Sequence, residues 1–213
     1  MPLVLLVRHG ENDYVKKRRL AGRLPGVHLN KKGREQAQAL AERLKGSEVK
    51  AIYSSPMERA VETAQPIAQV LGLELELRQG LLETDIGEWT GIAIGKVSRQ
   101  KLWKIVQAAP SMLRFPGGES FAETQSRIVH DLDELCRQHD PKDTIICVSH
   151  ADPIKLAVAY YLGLGLDNFQ RLVVAPASIT ALHIGEMGGR LLTLNYDLAF
   201  TLPRKEAEKG AKT

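Results

Sequence analysis

Two short motifs carry the residue types that covalent or acid–base chemistry needs. Arg8-His9-Gly10 and Ser149-His150-Ala151 each place a histidine directly after an apolar run, residues 3–7 in the first case and 144–148 in the second. Continuous apolar runs of this length suit strands covered on both faces. In open α/β sheets the loops beyond the carboxyl ends of the strands build the ligand crevice, so histidines far apart in sequence can converge on one ligand there. Imidazole can serve as a covalent nucleophile, a proton carrier or a hydrogen-bonded structural group. A lone histidine after a strand is most often the last of these. An arginine is by default a solvated surface residue. Their combination changes the reading.

The elements that must position these residues alternate. After a Gly- and Pro-punctuated loop over 22–30, Ala37, Leu40, Ala41 and Leu44 recur at helical spacing within 31–45. Residues 49–53 read as a second strand. Ser54-Ser55-Pro56 offers capping oxygens and a proline suited to a first helical turn, ahead of a helix striped by Ala60, Ala64, Ile67, Ala68 and Leu71. Residues 73–77 alternate apolar side chains with glutamates, as an edge or half-exposed strand would. The segment 80–91 reads as loop, and 92–113 as an irregular helical excursion ended by Pro116-Gly117-Gly118. Ser120 and Glu123 form a capping box that opens a helix with Phe121, Ile128, Leu132 and Leu135 inward. Residues 153–162 predict a helix, and 178–184 with 190–195 a closing pair of strands around Gly188-Gly189. This alternation predicts an α/β layered fold with a largely parallel sheet.

Composition narrows the class. A chain of 213 residues, 44% hydrophobic and 25% charged, can bury one substantial core and is short for two full domains. A single domain is therefore expected over 1–202, with a charged, aperiodic and frayed tail over 203–213. An aromatic fraction of 5% disfavours stacking on single-stranded nucleic acid, and no nucleic-acid partner is expected. The five apolar residues before Arg8 are too few for a secretory core, and no run is long enough to span a bilayer. Cys136 and Cys147 lack ligand-like spacing. They fit neither a disulfide framework nor a zinc site and suit a reducing, cytoplasmic location; Cys147, mid-strand, is expected in the core. The formal charge of +4 is uneven, with nine Lys or Arg from Arg8 to Arg34 against Glu11 and Asp13. Such a cluster attracts nucleic acid, an acidic membrane or a phosphorylated small molecule, and composition does not choose among them.

Four segments, in order, resemble the histidine phosphatase superfamily, which includes the cofactor-dependent phosphoglycerate mutases. They are Arg8-His9-Gly10-Glu11; the run from Tyr53-Ser54-Ser55-Pro56 through Arg59 to Ala64; Leu82-Glu83-Thr84-Asp85 through Gly91; and Val148-Ser149-His150. Shorter matches cover 29–37, 116–120 and Ala177-Ser178, so the likeness spans roughly residues 3–195. It implies a phosphoglycerate mutase-like, three-layer α/β/α sandwich on a mostly parallel mixed sheet of about six strands. It also implies a catalytic set of Arg8, His9, Arg59, Glu83 and His150. Asn12, Gly22 and Ala151 would join Arg8, Arg59, Glu83 and His150 in holding a small-molecule phosphate ester. No metal and no other cofactor is implied, and many relatives dimerise, so a homodimer is an expectation.

By that analogy a neutral His9 attacks phosphorus while Arg8 and Arg59, planar and permanently charged, grip the phosphate oxygens. His150, if protonated, adds a further donor. Glu83 protonates the leaving alkoxide and then deprotonates the water that cleaves phosphohistidine. Asp85 and Glu88 share the loop, and motif register favours Glu83; Trp89 reads as packing. Arg23 and Arg114 are candidates to meet a second anionic group. Lys16-Lys17-Arg18-Arg19 lies in the segment that lines the substrate mouth in this family.

Departures from the mutase pattern point to hydrolysis. Asn12 stands where many members have Ser or Thr, Val15 where mutases have Asn, Ile86 at the position of a substrate-contacting Tyr, and Asp152 where Asn is found; a longer basic insertion is missing. Residues 20–29, however, resemble a subgroup labelled as phosphomutases. A phosphomutase and a non-catalytic phosphate-binding module are the alternatives to a phosphatase.

Overall fold

The computed structural model describes residues 1–185 and 188–198, so the tail expected over 203–213 lies outside the described residues. Six strands, β1 (Leu3–Arg8), β2 (Ala51–Ser54), β3 (Leu75–Leu77), β4 (Thr144–Ser149), β5 (Ile179–Gly185) and β6 (Gly188–Tyr196), form one sheet in the order β3-β2-β4-β1-β5-β6. β3, β2, β4 and β1 run parallel, whereas β5 and β6 are antiparallel to their neighbours. The helices are α1 (Asp13–Lys16), α2 (Lys31–Leu44), α3 (Glu58–Leu71), α4 (Ile94–Val97), α5 (Lys101–Ala108), α6 (Phe121–Gln138) and α7 (Ala151–Tyr161).

Strand alternation sorts the core into two layers, because successive side chains point to opposite faces. Val4 and Leu6 of β1, with Ile145 and Cys147 of β4, pack against Ile128, Leu132 and Leu135 of α6 and Ile154, Ala157 and Val158 of α7. Val7, Ile146 and Val148 face the other way, onto Leu40, Ala41 and Leu44 of α2 and Ala60, Ala64 and Ile67 of α3. This is the expected three-layer arrangement on a mixed sheet of six strands. Cys147 is fully buried, as expected. A third apolar cluster joins Ile86, Trp89, Val97, Val106, Phe115 and Phe121 beyond the sheet, with Trp89 stacked on Trp103. The helical excursion over 92–113 contributes to it as α4, α5 and a 3-10 turn, Pro110–Met112.

Three boundaries differ from the sequence reading. Asn12 caps a one-turn helix, α1, too short for apolar periodicity to reveal. The Ser54-Ser55-Pro56 run does not cap α3; that helix starts at Glu58, with Met57 as N-cap and no side-chain cap bond. The reason is that Ser55 still belongs to the sheet edge of the loop: its amide donates to the Val148 carbonyl at 2.9 Å. Finally α7 begins at Ala151 rather than 153, which makes His150 its N-cap. The capping box of Ser120 and Glu123 is present as expected.

Two glycines let the loop after β1 lie directly on α2. A Cβ on Gly10 would stand 2.7 Å from the Gly33 carbonyl, and one on Gly33 would stand 2.0 Å from the Glu11 carbonyl. Glu11 and Asn30 lock the same contact, the Asn30 amide donating to the Glu11 carbonyl at 3.1 Å. Alanine in place of glycine inside a helix ordinarily stabilises by roughly 0.5–1 kcal/mol. At Gly33 the backbone clash reverses the sign, and Gly33→Ala is expected to cost about 1–3 kcal/mol in urea unfolding. A variant as stable as the parent would show that the loop does not seat on α2 in this way.

Candidate active site

Pairing register alone brings the two histidines together. β1 and β4 run parallel with Arg8 opposite Ser149, so the next residues, His9 and His150, leave the sheet side by side. The His9 amide donates to the Ser149 carbonyl at 3.0 Å, and the two rings meet edge-on with centroids 5.1 Å apart. Both side chains are buried, as is Arg59 from the first turns of α3. Arg8, the last residue of β1, completes the cluster.

Each guanidinium is anchored on one side only. Arg59 Nη2 donates to the Gly22 carbonyl at 2.8 Å, and Arg8 Nη1 to the Val174 carbonyl at 2.7 Å. Arg59 Nε and Nη1, Arg8 Nε, Asn12 Nδ2 and His150 Nδ1 are buried with no hydrogen-bond partner in the protein. The four unsatisfied positions on Arg8, Arg59 and His150, grouped around one pair of imidazoles, are costly unless an acceptor-rich ligand meets them. A phosphate group, with charge on several oxygens, is such a ligand.

The hydrogen bonds also assign proton positions. His9 Nδ1 lies 2.7 Å from the Gly10 carbonyl, an acceptor, so Nδ1 carries the proton and Nε2 the lone pair in the neutral ring. Burial first, then the charges of Arg59 and Arg8, push the His9 pKa well below its ordinary value. Nucleophilic attack requires that direction. His150 is driven the same way by burial, Arg59, His9 and Arg8, which favours its neutral form. The neutral ring still donates. Its Nε2 lies 2.8 Å from Ser55 Oγ, which also accepts the Met57 amide at 3.4 Å; with the hydroxyl donating to Nε2, the ring carries its proton on Nδ1.

Of the three carboxylates in the 83–88 loop, Glu83 faces the cluster. Its Oε2 lies 3.9 Å from His150 Nδ1. Asp85 turns back to accept the Gly87 amide at 3.0 Å, and Glu88 is exposed. Burial, reinforced by the nearby Asp152 carboxylate, lifts the Glu83 pKa to about 7 against the opposing pull of Arg59, the Thr84 amide and Arg8. The distance to His150 is within ion-pair range, yet burial favours the neutral form of both partners, so the contact is polar rather than ionic below about pH 7.

The remaining sequence expectations divide. Gly22, at φ +52°, gives its carbonyl to Arg59, and a Cβ there would strike Ile86 and Thr90. Asn12 is buried, with Oδ1 capping α1 through the Val15 amide at 2.9 Å and Nδ2 unpaired. Ala151 opens α7 directly after His150. Arg23 donates to the Glu83 carbonyl and pairs with Glu119, whereas Arg114 binds the Gly118 carbonyl and Glu123. In the basic run, Arg19 binds the Gly91 carbonyl and lies over the Tyr14 ring, and Lys17 pairs with exposed Asp13.

Sequence reasoning missed Ser55 as the partner of His150 and Thr63 as the acceptor of the Gly10 amide at 3.0 Å. Both lie inside the second family-like segment, but nothing in their spacing shows contact with a loop so far along the chain. Ala177, at φ +59°, was also invisible as a strained position; its amide donates to the Arg8 carbonyl at 3.0 Å and braces the end of β1. A cavity of about 890 Å³ lies at the other end of the sheet, lined by Met1, Pro2, Tyr161 and Ile184, away from these groups. Among the described residues no group of three or more His, Cys, Asp or Glu side chains is placed to hold a metal ion. Among the same residues no helix is long and apolar enough to cross a membrane.

Known proteins share this architecture. The chain is 31% identical over 200 residues to phosphoserine phosphatase 1 of Hydrogenobacter thermophilus, covering 92% of each. It is also 31% identical over 199 residues to a 2,3-bisphosphoglycerate-dependent phosphoglycerate mutase of Thermoplasma acidophilum, covering 91% of this chain and 92% of that one. A mycobacterial glucosyl-3-phosphoglycerate phosphatase solved with VO3 superposes with a TM-score of 0.84 at 28% identity, over 92% of this chain and 100% of the other. A phosphoserine phosphatase of Entamoeba histolytica, solved with 3-phosphoglyceric acid, gives 0.84 at 27% identity over 93% and 98% of the two chains. The model of the histidine phosphatase superfamily (branch 1) matches residues 4–197, and the chain belongs to that family.

Proposed function

We propose that this chain is a histidine phosphatase that hydrolyses small phosphorylated metabolites through a phosphohistidine at His9, with no metal in the step. The observation that carries the reading is the buried cluster itself: a neutral imidazole with its lone pair on Nε2, beside two guanidiniums that keep unpaired N–H groups. Such a cluster is matched to a transferring phosphoryl group, whose charge develops on the equatorial oxygens.

The steps balance as follows. His9 Nε2 attacks phosphorus, the N–P bond forms and the ester P–O bond breaks. Arg8, Arg59, Asn12 Nδ2 and His150 Nδ1–H hold the oxygens, and Glu83 gives its proton to the departing alkoxide. Water then enters, Glu83 takes back a proton, and attack on phosphorus breaks the N–P bond to release inorganic phosphate.

Hydrolysis is favoured over isomerisation by the departures of Asn12, Val15, Ile86 and Asp152 from the mutase pattern; Arg23 and Arg114, the candidates for a second phosphate, both spend N–H groups on protein acceptors. The relatives that act on phosphoserine and glucosyl-3-phosphoglycerate support a small phosphorylated metabolite as substrate. The mutase relative supports the second reading, a phosphomutase.

Phosphate release from a panel of phosphorylated metabolites, with chelator present, tests the proposal. Turnover should persist with chelator and vanish in His9→Ala, and rapid quenching should trap phosphate on residue 9. Conversion of 3-phosphoglycerate to its isomer in the presence of 2,3-bisphosphoglycerate, without net hydrolysis, would move the assignment to the mutase.

The pH profile follows from the proton positions. Glu83 is an acid below about pH 7 and loses its proton above it, while His9 is already neutral. For an alkyl phosphomonoester, kcat/KM should therefore fall on a limb centred near 7, about tenfold per pH unit, and Glu83→Gln should abolish that limb. A limb that survives in Glu83→Gln assigns the acid elsewhere.

Ser55→Ala should lower kcat/KM by about tenfold, since it frees the His150 tautomer, and lower the melting temperature by a few degrees, since a buried ring nitrogen loses its partner. Unchanged kcat/KM would show that Ser55 does not set that proton.

A further inference from the structure

The segment that carries Glu83 has little regular structure, running between two 3-10 turns, Gln79–Leu81 and Gly87–Trp89. Its main chain is nevertheless tied to side chains from other elements. Arg127 of α6 donates through Nη1 to the carbonyls of Gly80 at 2.8 Å and Leu82 at 3.1 Å, and through Nη2 to that of Glu83 at 3.4 Å. Arg23, in the loop ahead of α2, donates through Nε to the same Glu83 carbonyl at 2.8 Å.

Both guanidiniums turn their other N–H groups onto one carboxylate. Arg23 Nη2 lies 2.7 Å from Glu119 Oε1; Arg127 Nη2 and Nε lie 3.1 Å from Oε2 and 3.3 Å from Oε1. Glu119 Oε2 also accepts the Asp85 amide at 3.0 Å and the Thr124 hydroxyl at 3.0 Å. The three charged side chains are 29%, 21% and 22% exposed, for Arg23, Glu119 and Arg127. In such a half-buried setting two cations hold one geometry only while a shared anion neutralises them. A planar guanidinium fork then transmits that geometry to the carbonyls it bonds.

We propose that Glu119 is a positioning residue for the acid–base step, holding Arg23 and Arg127 so that they fix the Glu83 main chain beside the His9–His150 pair. The inference rests on Glu83 being the proton donor. General acid catalysis needs the carboxyl within hydrogen-bond reach of the leaving oxygen, and a misplacement of about 1 Å costs on the order of a hundredfold. Glu119 touches neither substrate nor reacting atoms. Its removal should therefore be felt only where a proton must be delivered.

A leaving-group comparison on the full chain tests this. p-Nitrophenyl phosphate departs without a proton, whereas β-glycerophosphate requires one. The quantity compared is kcat/KM, which ends at departure of the first leaving group and so ignores hydrolysis of phosphohistidine. For Glu119→Gln the β-glycerophosphate value should fall about tenfold to a hundredfold and the p-nitrophenyl value by less than about threefold. Inorganic phosphate should inhibit as in the parent, because its grip is untouched. Glu83→Gln, run alongside, should show the same split.

If Glu83→Gln lowers both esters alike, Glu83 is not the acid, and the proposal falls with the reading beneath it. If Glu83→Gln splits the esters but Glu119→Gln lowers both equally, or neither, Glu119 does not position the acid while the reading stands. Should Glu119→Gln fail to fold, Arg23→Lys replaces it, since an ammonium keeps the charge but cannot bridge carbonyl and carboxylate as a planar fork does. A loss confined to β-glycerophosphate there supports the proposal, and an even loss or none overturns it.

Discussion

The parallel pairing of β1 with β4, with Arg8 opposite Ser149, is the constraint on which everything else in this molecule depends. It fixes the separation of two imidazoles through backbone hydrogen bonds, not through side-chain packing, so the pair is as rigid as the sheet. Because both strands are covered on both faces, the histidines emerge from the driest part of the fold. A shift by one residue would turn either Val7 or Val148 out of their shared cluster and send the histidines to opposite faces. Core and site are therefore specified by the same register.

Dryness then sets the protonation states. Removing water from two imidazoles near two guanidiniums makes neutral imidazole the stable form, and removing it from Glu83 near Asp152 makes the protonated carboxyl persist to about pH 7. The cations stay charged because guanidinium cannot be deprotonated in this range, although burial lowers both of their pKa values. Burying them is tolerable only with carbonyl acceptors on one side, from Gly22 and Val174, and an anion on the other. The unsatisfied donors and the neutral imidazoles are thus two results of one arrangement.

Much of this was legible in the sequence, for identifiable reasons. Apolar runs announced β1 and β4, and the motifs after them named His9 and His150. Helical periodicity placed α2 and α3, and the Ser120–Glu123 box placed the start of α6. The failures share a cause. Ser55 was read as a helix cap because local chemistry allows it, while tertiary contact with His150 claimed its hydroxyl. Arg23 and Arg114 were named as candidates for a second anion, and the sequence does not reveal that Glu119 and Glu123 lie beside them. Charge and hydrogen-bond partners separated in sequence are set by packing, and only the folded chain displays them.

The position of the excess positive charge illustrates the difference between attracting a ligand and holding it. The run from Lys16 to Arg19 sits on and beside α1, where Arg19 and Lys17 have local partners. Exposed cations of this kind are screened within about 8–10 Å at physiological salt, so they act on the approach of an anion more than on its bound geometry. Arg59 is buried and Arg8 partly so, and both are held by protein carbonyls, so an anion meeting them there would be little screened. An anion drawn in by the first set meets, at the end of β1, groups whose geometry was fixed before it arrived. The basic loop therefore influences encounter, and the sheet register determines what happens after it.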